Sequence, residues 1–298
     1  MKPIKSLRVE KNMKISELVE QMGEIGFGAK KINQAALILE EMWKSEATVF
    51  LGVAGAMVPG GMKQIILDLL DRVDVFVTTG ANLTHDLIES LGHHHYQGNE
   101  KTGDLELHKK NLDRIYNVYM KNEVYEKLEE FFEKNWNEFN KCKNIKEFLW
   151  KIGELTEKGI LRKCYERKIP TFCPAIADSG IGLMVWGRLA SGKKLTIDAF
   201  DDMKEIIDKA WTAKKRAIIY VGGGTPKNFI QQSLQFSKGA DYGIQITTDR
   251  PEPGGSSGAP LKEGISWGKM NEKAKFVDVN TDATLALPLI LGFVKEKI

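Results

Sequence analysis

Apolar and polar positions along the chain follow two periods. Over about the first forty residues the spacing is helical, with Ile32, Ala35, Ala36, Leu39 and Trp43 recurring three and four residues apart, which lines one face of an α-helix. Ser16 is the expected N-cap of the first helix with Glu17 in its first turn, although Val19 sits where a full capping box needs Glu or Gln. After that, short continuous apolar runs alternate with helical stretches. Thr48–Val53 reads as a buried strand and residues 62–70 as the helix that follows it. Residues 73–78 repeat the device, with 79–82 as the turn and 83–91 as the helix. Further strands are expected at 170–173, 217–221, 242–247 and 275–280. Apolar strands separated by helices imply an α/β fold, a doubly wound and mostly parallel sheet with helices on both faces.

The stretch from about 112 to 168 breaks this rhythm. It is rich in Lys, Glu and Asn, and Val124, Leu128, Phe131, Phe132, Trp136 and Phe139 form a helical stripe. It reads as a helical insertion of amphipathic helices packed on the outside of the domain. The expected organisation is therefore an N-terminal helical segment (1–45) followed by one large α/β domain (46–298) that carries the insertion.

Composition narrows the function. The 43 Lys and Arg nearly balance 40 Asp and Glu, leaving a net charge of +3, which argues against a dedicated nucleic-acid binder. The 3 cysteines form no C-x-x-C pair, so neither a disulfide framework nor a zinc knuckle is expected. The start, Met1-Lys-Pro-Ile-Lys5, lacks the apolar core of a secretory signal. The longest apolar run, residues 283–294, is interrupted by Thr284, Pro288 and Gly292 and is too short to span a bilayer. A cytoplasmic protein that engages no membrane is expected.

In sheets of this kind, ligands sit beyond the carboxyl ends of the strands, and the unusual residues of this chain fall there. Val221-Gly-Gly-Gly-Thr-Pro-Lys-Asn228 follows a strand directly. Thr225 suits an N-cap and Pro226 a first helical residue, so Gly222, Gly223 and Gly224 let the backbone approach either a phosphate at the helix N-terminus or simply a tight turn. Asp282, between the last strand and an apolar helix, either caps that helix or binds a ribose hydroxyl. The polar loop 250–258 follows a strand and leads to Glu263-Gly-Ile-Ser-Trp-Gly-Lys269. Lys269 beside Trp267 is either a surface cation stacked on an indole or a desolvated amine able to form an imine. The run His93-His-His95 suggests a metal, but three successive side chains point in different directions, so a solvated loop is the expectation and no metal site is assigned.

Taken together, the triple-glycine segment, Gly239-Ala-Asp-Tyr242, Ser266-Trp-Gly-Lys269 and Asp282-Ala283 resemble the deoxyhypusine synthase family. The resemblance extends through Thr48–Val53, Val77-Thr-Thr79, Asp86-Leu-Ile88, Pro174-Ala175 and Asp178, and covers nearly the whole chain from Gly26 onward. It implies an NAD-dependent homotetramer of Rossmann-like subunits with active sites at subunit interfaces. It also implies a reaction: spermidine is oxidised, 1,3-diaminopropane leaves, and the aminobutyl group is held as an imine on a lysine. The group then passes to a lysine of the hypusine-bearing translation initiation factor and is reduced. By this resemblance Lys269 forms the imine, Trp267 lines the amine channel, and Glu263 anchors an ammonium. Gly254, Gly255 and Ser256 line the substrate loop, and Asn228 stands at a catalytic position. The NAD contacts map onto Thr79, Asp178, Gly222, Gly223, Gly224, Thr248, Ser257, Asp282 and Ala283.

The departures are as informative. Asn228 replaces the family's active-site histidine, Leu183 and Ser256 replace acidic residues, and His85 replaces a glutamate. Gly55-Ala-Met-Val-Pro59 replaces a serine/asparagine turn. The nucleotide end and the lysine match the family while the polyamine end differs. This resembles the deoxyhypusine synthase-like branch, in which transfer to a free diamine such as putrescine (homospermidine formation) or a non-catalytic NAD-binding role are the alternatives.

Overall fold

Why the strands fall where they do follows from burial on both faces. The computed structural model describes residues 1–298. Its strands are β1 (Thr48–Val53), β2 (Val75–Thr78), β3 (Tyr96–Gln97), β4 (Leu112–Ile115), β5 (Val118–Lys121), β6 (Thr171–Phe172), β7 (Arg216–Val221), β8 (Ala240–Thr247) and β9 (Met270–Asn280). The chain divides into two compact units, one of Met1–Ala54, Asp71–Val77 and Met203–Ile298, the other of Gly55–Leu70 and Thr78–Asp202.

The first unit is built on a sheet in the order β2-β1-β7-β8-β9. Strands β1 with β7, β7 with β8, and β8 with β9 are parallel. Every residue of β7 is buried, as a strand covered on both faces requires. Arg216 opens that strand and is only 3% exposed. Its guanidinium donates to the Gly239 and Ala213 carbonyls at 2.7 and 2.9 Å and meets Asp241 at 3.2 Å. A charge at this depth is tolerated because it is paired and hydrogen-bonded. Helices Phe27–Lys44 and Ala283–Lys297 pack on β8, and helix Gly224–Gln235 packs on β1.

Ser16 is not the first N-cap. Helix Ile15–Met22 is capped at Lys14, whose N–H donates to the Glu17 carboxylate at 3.1 Å. The Ser16 N–H is taken instead by Glu296 at 3.0 Å. Residues 80–82, expected as a turn, are the first turn of helix Gly80–Ser90, with Thr79 as its cap.

In the second unit the stretch 112–121 differs from the expected helices: it forms β4 and β5, which pair antiparallel, with β3 on the far side of β5. The helices that follow, Glu123–Phe139, Ile145–Glu154 and Ile160–Arg167, do not merely coat a sheet. Their apolar stripe is itself the core, with Phe132, Phe139 and Phe148 buried and the Phe132 and Phe139 rings 5.1 Å apart. An aromatic stripe of this size can bury its own surface against neighbouring helices, which periodicity alone does not distinguish from packing on a sheet. No helix is long and apolar enough to cross a membrane.

Candidate active site

The triple glycine does end a strand, but the helix after it begins two residues earlier than its sequence suggests. Helix Gly224–Gln235 has Gly223 as N-cap, so Thr225 and Pro226 lie inside its first turn. Gly223 offers no side chain to cap the helix. Ser257 supplies the acceptor, its Oγ taking the Gly224 N–H at 2.6 Å. A Cβ on Gly223 would lie 2.3 Å from the Ser257 Cα, so glycine is required here by the approach of the chain's own loop. One N–H of the helix N-terminus and the open face of Gly223 are thus already used by Ser257.

Beside this helix lies a cavity of ≈ 370 Å³. Asn228, Gln231, Gln232 and Gln235 line one side, spaced so that they share a helix face, and Gly254, Ser256, Ala259 and Pro260 line another. Glu263, Gly264, Trp267 and Lys269 complete it. Glu263 and Gly264 lie on a short 3₁₀ turn, Leu261–Ile265, and Trp267 and Lys269 directly after it, where the Gly268 N–H donates to the Ile265 carbonyl and the Lys269 N–H to the Gly264 carbonyl, at 3.1 and 2.8 Å. Gly268 has φ +69°, a conformation that glycine adopts without strain. That turn brings Lys269 Nζ to 4.9 Å from the centre of the Trp267 ring. Trp267 is 56% exposed in the single chain and Lys269 is half-buried, so the indole shields the amine on one side only.

The cavity brings together Asn228, Gly254, Ser256, Glu263, Trp267 and Lys269, and Gly255 lies in the same loop. Glu263 is the one carboxylate among its lining residues. The glutamines at 231, 232 and 235 were not anticipated; their signal was polar residues at helical spacing directly after the glycines. Lys227, next to Asn228, is buried and does not line the cavity. Burial pushes its pKa down to about 8, against the attraction of Asp278 and Glu263.

Of the expected cofactor contacts, Asp282 caps helix Ala283–Lys297, its Oδ1 accepting from the Thr284 N–H and hydroxyl at 2.7 and 2.9 Å. It is exposed, so its second oxygen can still accept from a ribose hydroxyl. Ala283 is buried behind it, and Thr248 is exposed at the end of β8. Thr79 and Asp178 belong to the second unit, where Thr79 caps its helix and Asp178 is exposed.

That unit also holds a polar cluster. The His95 side chain is only 6% exposed, not solvated as a loop histidine would be: its Nδ1 lies 2.9 Å from Glu89 and its Nε2 2.9 Å from His85 Nδ1. Burial, with His95 as neighbour, lowers the His85 pKa to about 4. Asp86 is buried against Lys63 and accepts the Ile160 N–H through both oxygens. No group of three or more His, Cys, Asp or Glu side chains is placed to hold a metal ion.

The model of the deoxyhypusine synthase family matches residues 17–294. The chain belongs to the deoxyhypusine synthase family. It is 43% identical to a Methanosarcina acetivorans protein named "Probable deoxyhypusine synthase 1", over 99% of this chain and 95% of that one. A protein of the same name from Archaeoglobus fulgidus is 40% identical, over 99% and 98% of the two chains. A solved structure from Entamoeba histolytica, described as a deoxyhypusine synthase, shares the fold with a TM-score of 0.66 at 19% identity, covering 97% of this chain and 96% of that one. The family is one of transferases, and in this chain Trp267 and Lys269 line the cavity described above.

Proposed function

We propose that the chain is an NAD-dependent aminoalkyl transferase whose lysine, Lys269, carries the alkyl fragment of a polyamine as an imine. The observation that carries this reading is the arrangement of one cavity: a lysine, an indole 4.9 Å from its nitrogen and a single carboxylate, all on the Glu263–Lys269 segment. An alkylammonium suits such a pocket, with its chain along the indole face and its charge at the carboxylate.

The residues then divide the work. Glu263 holds one ammonium end of spermidine or a related amine. Bound NAD supplies the hydride acceptor and, later, the donor. Lys269 Nζ adds to the carbon of the oxidised amine, a new C=N bond forms to Lys269, and the old C–N bond breaks as 1,3-diaminopropane leaves with a proton. An acceptor amine repeats the exchange and frees Lys269. Asn228 is an amide and moves no proton, so it orients the chain by hydrogen bonding while the Glu263 carboxylate is the titratable oxygen at hand. For NAD, the open oxygen of Asp282 and the glycine backbone fit a ribose and a nearby phosphate, with Thr79, Asp178, Thr248 and Ala283 carried over from the family pattern. A homotetramer with active sites at subunit interfaces is part of the same reading.

The acceptor in this reading is the lysine of the hypusine-bearing initiation factor. A second acceptor, a free diamine, is favoured by one observation: the lining has one carboxylate, and Asn228 and Ser256 stand at the positions where the family has a histidine and an acid.

The test is chemical trapping. Incubation with spermidine and NAD followed by borohydride reduction places an alkyl adduct on Lys269 by peptide mass spectrometry, and Lys269→Arg removes it. An adduct on Lys227, or none with any polyamine, overturns the mechanism.

A further inference from the structure

The lysine beside the glycines has a different task. Lys227 is 1% exposed, and its Nζ donates to two backbone carbonyls, Ser256 and Ala259, each at 2.6 Å. Both carbonyls belong to the loop that forms one wall of the cavity. No carboxylate is hydrogen-bonded to this amine, and burying an ammonium without one is costly. What the buried amine achieves in return is the fixing of that loop. Two N–H groups suffice for two carbonyls, so the amine can engage both peptides in either protonation state.

The surrounding contacts act in the same sense. Gln245 Nε2 donates to the Ala259 carbonyl at 3.1 Å, Asp278 accepts the Leu261 N–H at 3.0 Å, and Ser257 Oγ accepts from Gly224 at 2.6 Å. Lys227 sits at the centre of these ties and is the one that engages the loop at two peptides. To reach a substrate it would have to release both.

We propose that Lys227 is a positioning residue, a buried post that holds the Ser256 and Ala259 peptides and so fixes the cavity wall facing Lys269. Loop fixation stands independently of what the cavity binds; only the kinetic consequence rests on the polyamine reading.

The primary experiment is hydrogen exchange by mass spectrometry on the apo protein. Lys227→Met keeps an unbranched side chain one atom shorter and removes its donors. Exchange across residues 250–261 rises about tenfold, while β7 exchanges as before. Unchanged exchange over 250–261 in a folded Lys227→Met protein overturns the proposal. A second measurement needs no variant: under mild acylation of the wild-type protein, Lys227 is modified about 100-fold more slowly than the exposed Lys262. Equal rates overturn it. With a polyamine substrate, Lys227→Met raises KM about tenfold and lowers kcat less. Loss of kcat with KM and loop exchange both unchanged would make Lys227 a direct participant and overturn the positioning role. Failure of the polyamine reading shows differently, as a Lys269 without adduct beside a loop that still loosens in Lys227→Met.

Discussion

Lys63 Nζ lies 2.8 Å from Asp86 Oδ1, and Asp86 also accepts the Ile160 N–H at 2.9 and 3.0 Å through its two oxygens. The carboxylate is thus both half of a buried ion pair and the external cap of helix Ile160–Arg167, whose own N-cap is Gly159. Burial raises the Asp86 pKa, with Lys63 as the largest opposing influence. Lys63→Met leaves a buried carboxylate without its cation and lowers stability by about 3 kcal/mol. The shift of the urea midpoint measures it, and a midpoint equal to wild type would mean that the backbone donors, Ile160 N–H and Leu161 N–H, suffice.

His85 makes stability depend on acid. Its pKa is about 4 in the folded protein against an ordinary value of 6.5, so between these values the unfolded chain binds more protons. Stability is therefore full above pH 6.5 and falls as the pH drops towards 4, by up to about 3 kcal/mol. The loss is smaller in so far as the site stays hydrated. His85→Gln flattens this part of the profile. Thermal midpoints of both proteins at pH 4.5 and 7.5 give the comparison, and parallel profiles would count against the assignment.

Asp282→Ala separates two roles of one side chain. Loss of the cap on helix Ala283–Lys297 costs about 1 kcal/mol, leaving the protein folded. If Asp282 also accepts a ribose hydroxyl, NAD affinity measured by calorimetry falls about tenfold or more. Unchanged affinity would reduce Asp282 to a cap.

The lining with Glu263 as its only carboxylate bears on substrate charge. Spermidine carries three ammonium groups, and a buried ammonium without a carboxylate costs several kcal/mol. Spermidine use is then weaker than in typical deoxyhypusine synthases, with putrescine-sized amines competing as donor or acceptor, and Glu263→Gln raises KM for all of them. A turnover panel of spermidine, putrescine, agmatine and homospermidine, with and without the hypusine-bearing factor, decides. Efficient transfer from spermidine to that factor alone would contradict this expectation.

The fold was largely legible in the sequence because buried parallel strands are continuous apolar runs. The strand Thr48–Val53 has the bounds its pattern predicts, and β7 begins one residue early because Arg216, a charged residue, is buried through partners distant in sequence. At the site, Lys269, Trp267 and Glu263 were legible as one short segment. Ser257 as the missing cap of helix Gly224–Gln235 was not, since it lies 33 residues away. Nor was His95, whose burial depends on Glu89 and His85. The helical stripe at 124–139 was read correctly in period and misplaced in role, because periodicity gives a face and not its partner.

The ties on the cavity wall fall mainly on peptide groups: the carbonyls of Ser256 and Ala259 and the N–H of Leu261. A wall held by its backbone keeps its shape when its side chains change. Gly254, Gly255 and Ser256 are exposed and contribute no side chain to those ties, so this stretch is free to vary in chemistry without loss of form. Selection can therefore retune the charge of the pocket by single replacements, and an engineer can do the same. Ser256→Asp restores a carboxylate to the wall on an unchanged frame, so new amine preferences are reachable here without refolding the site.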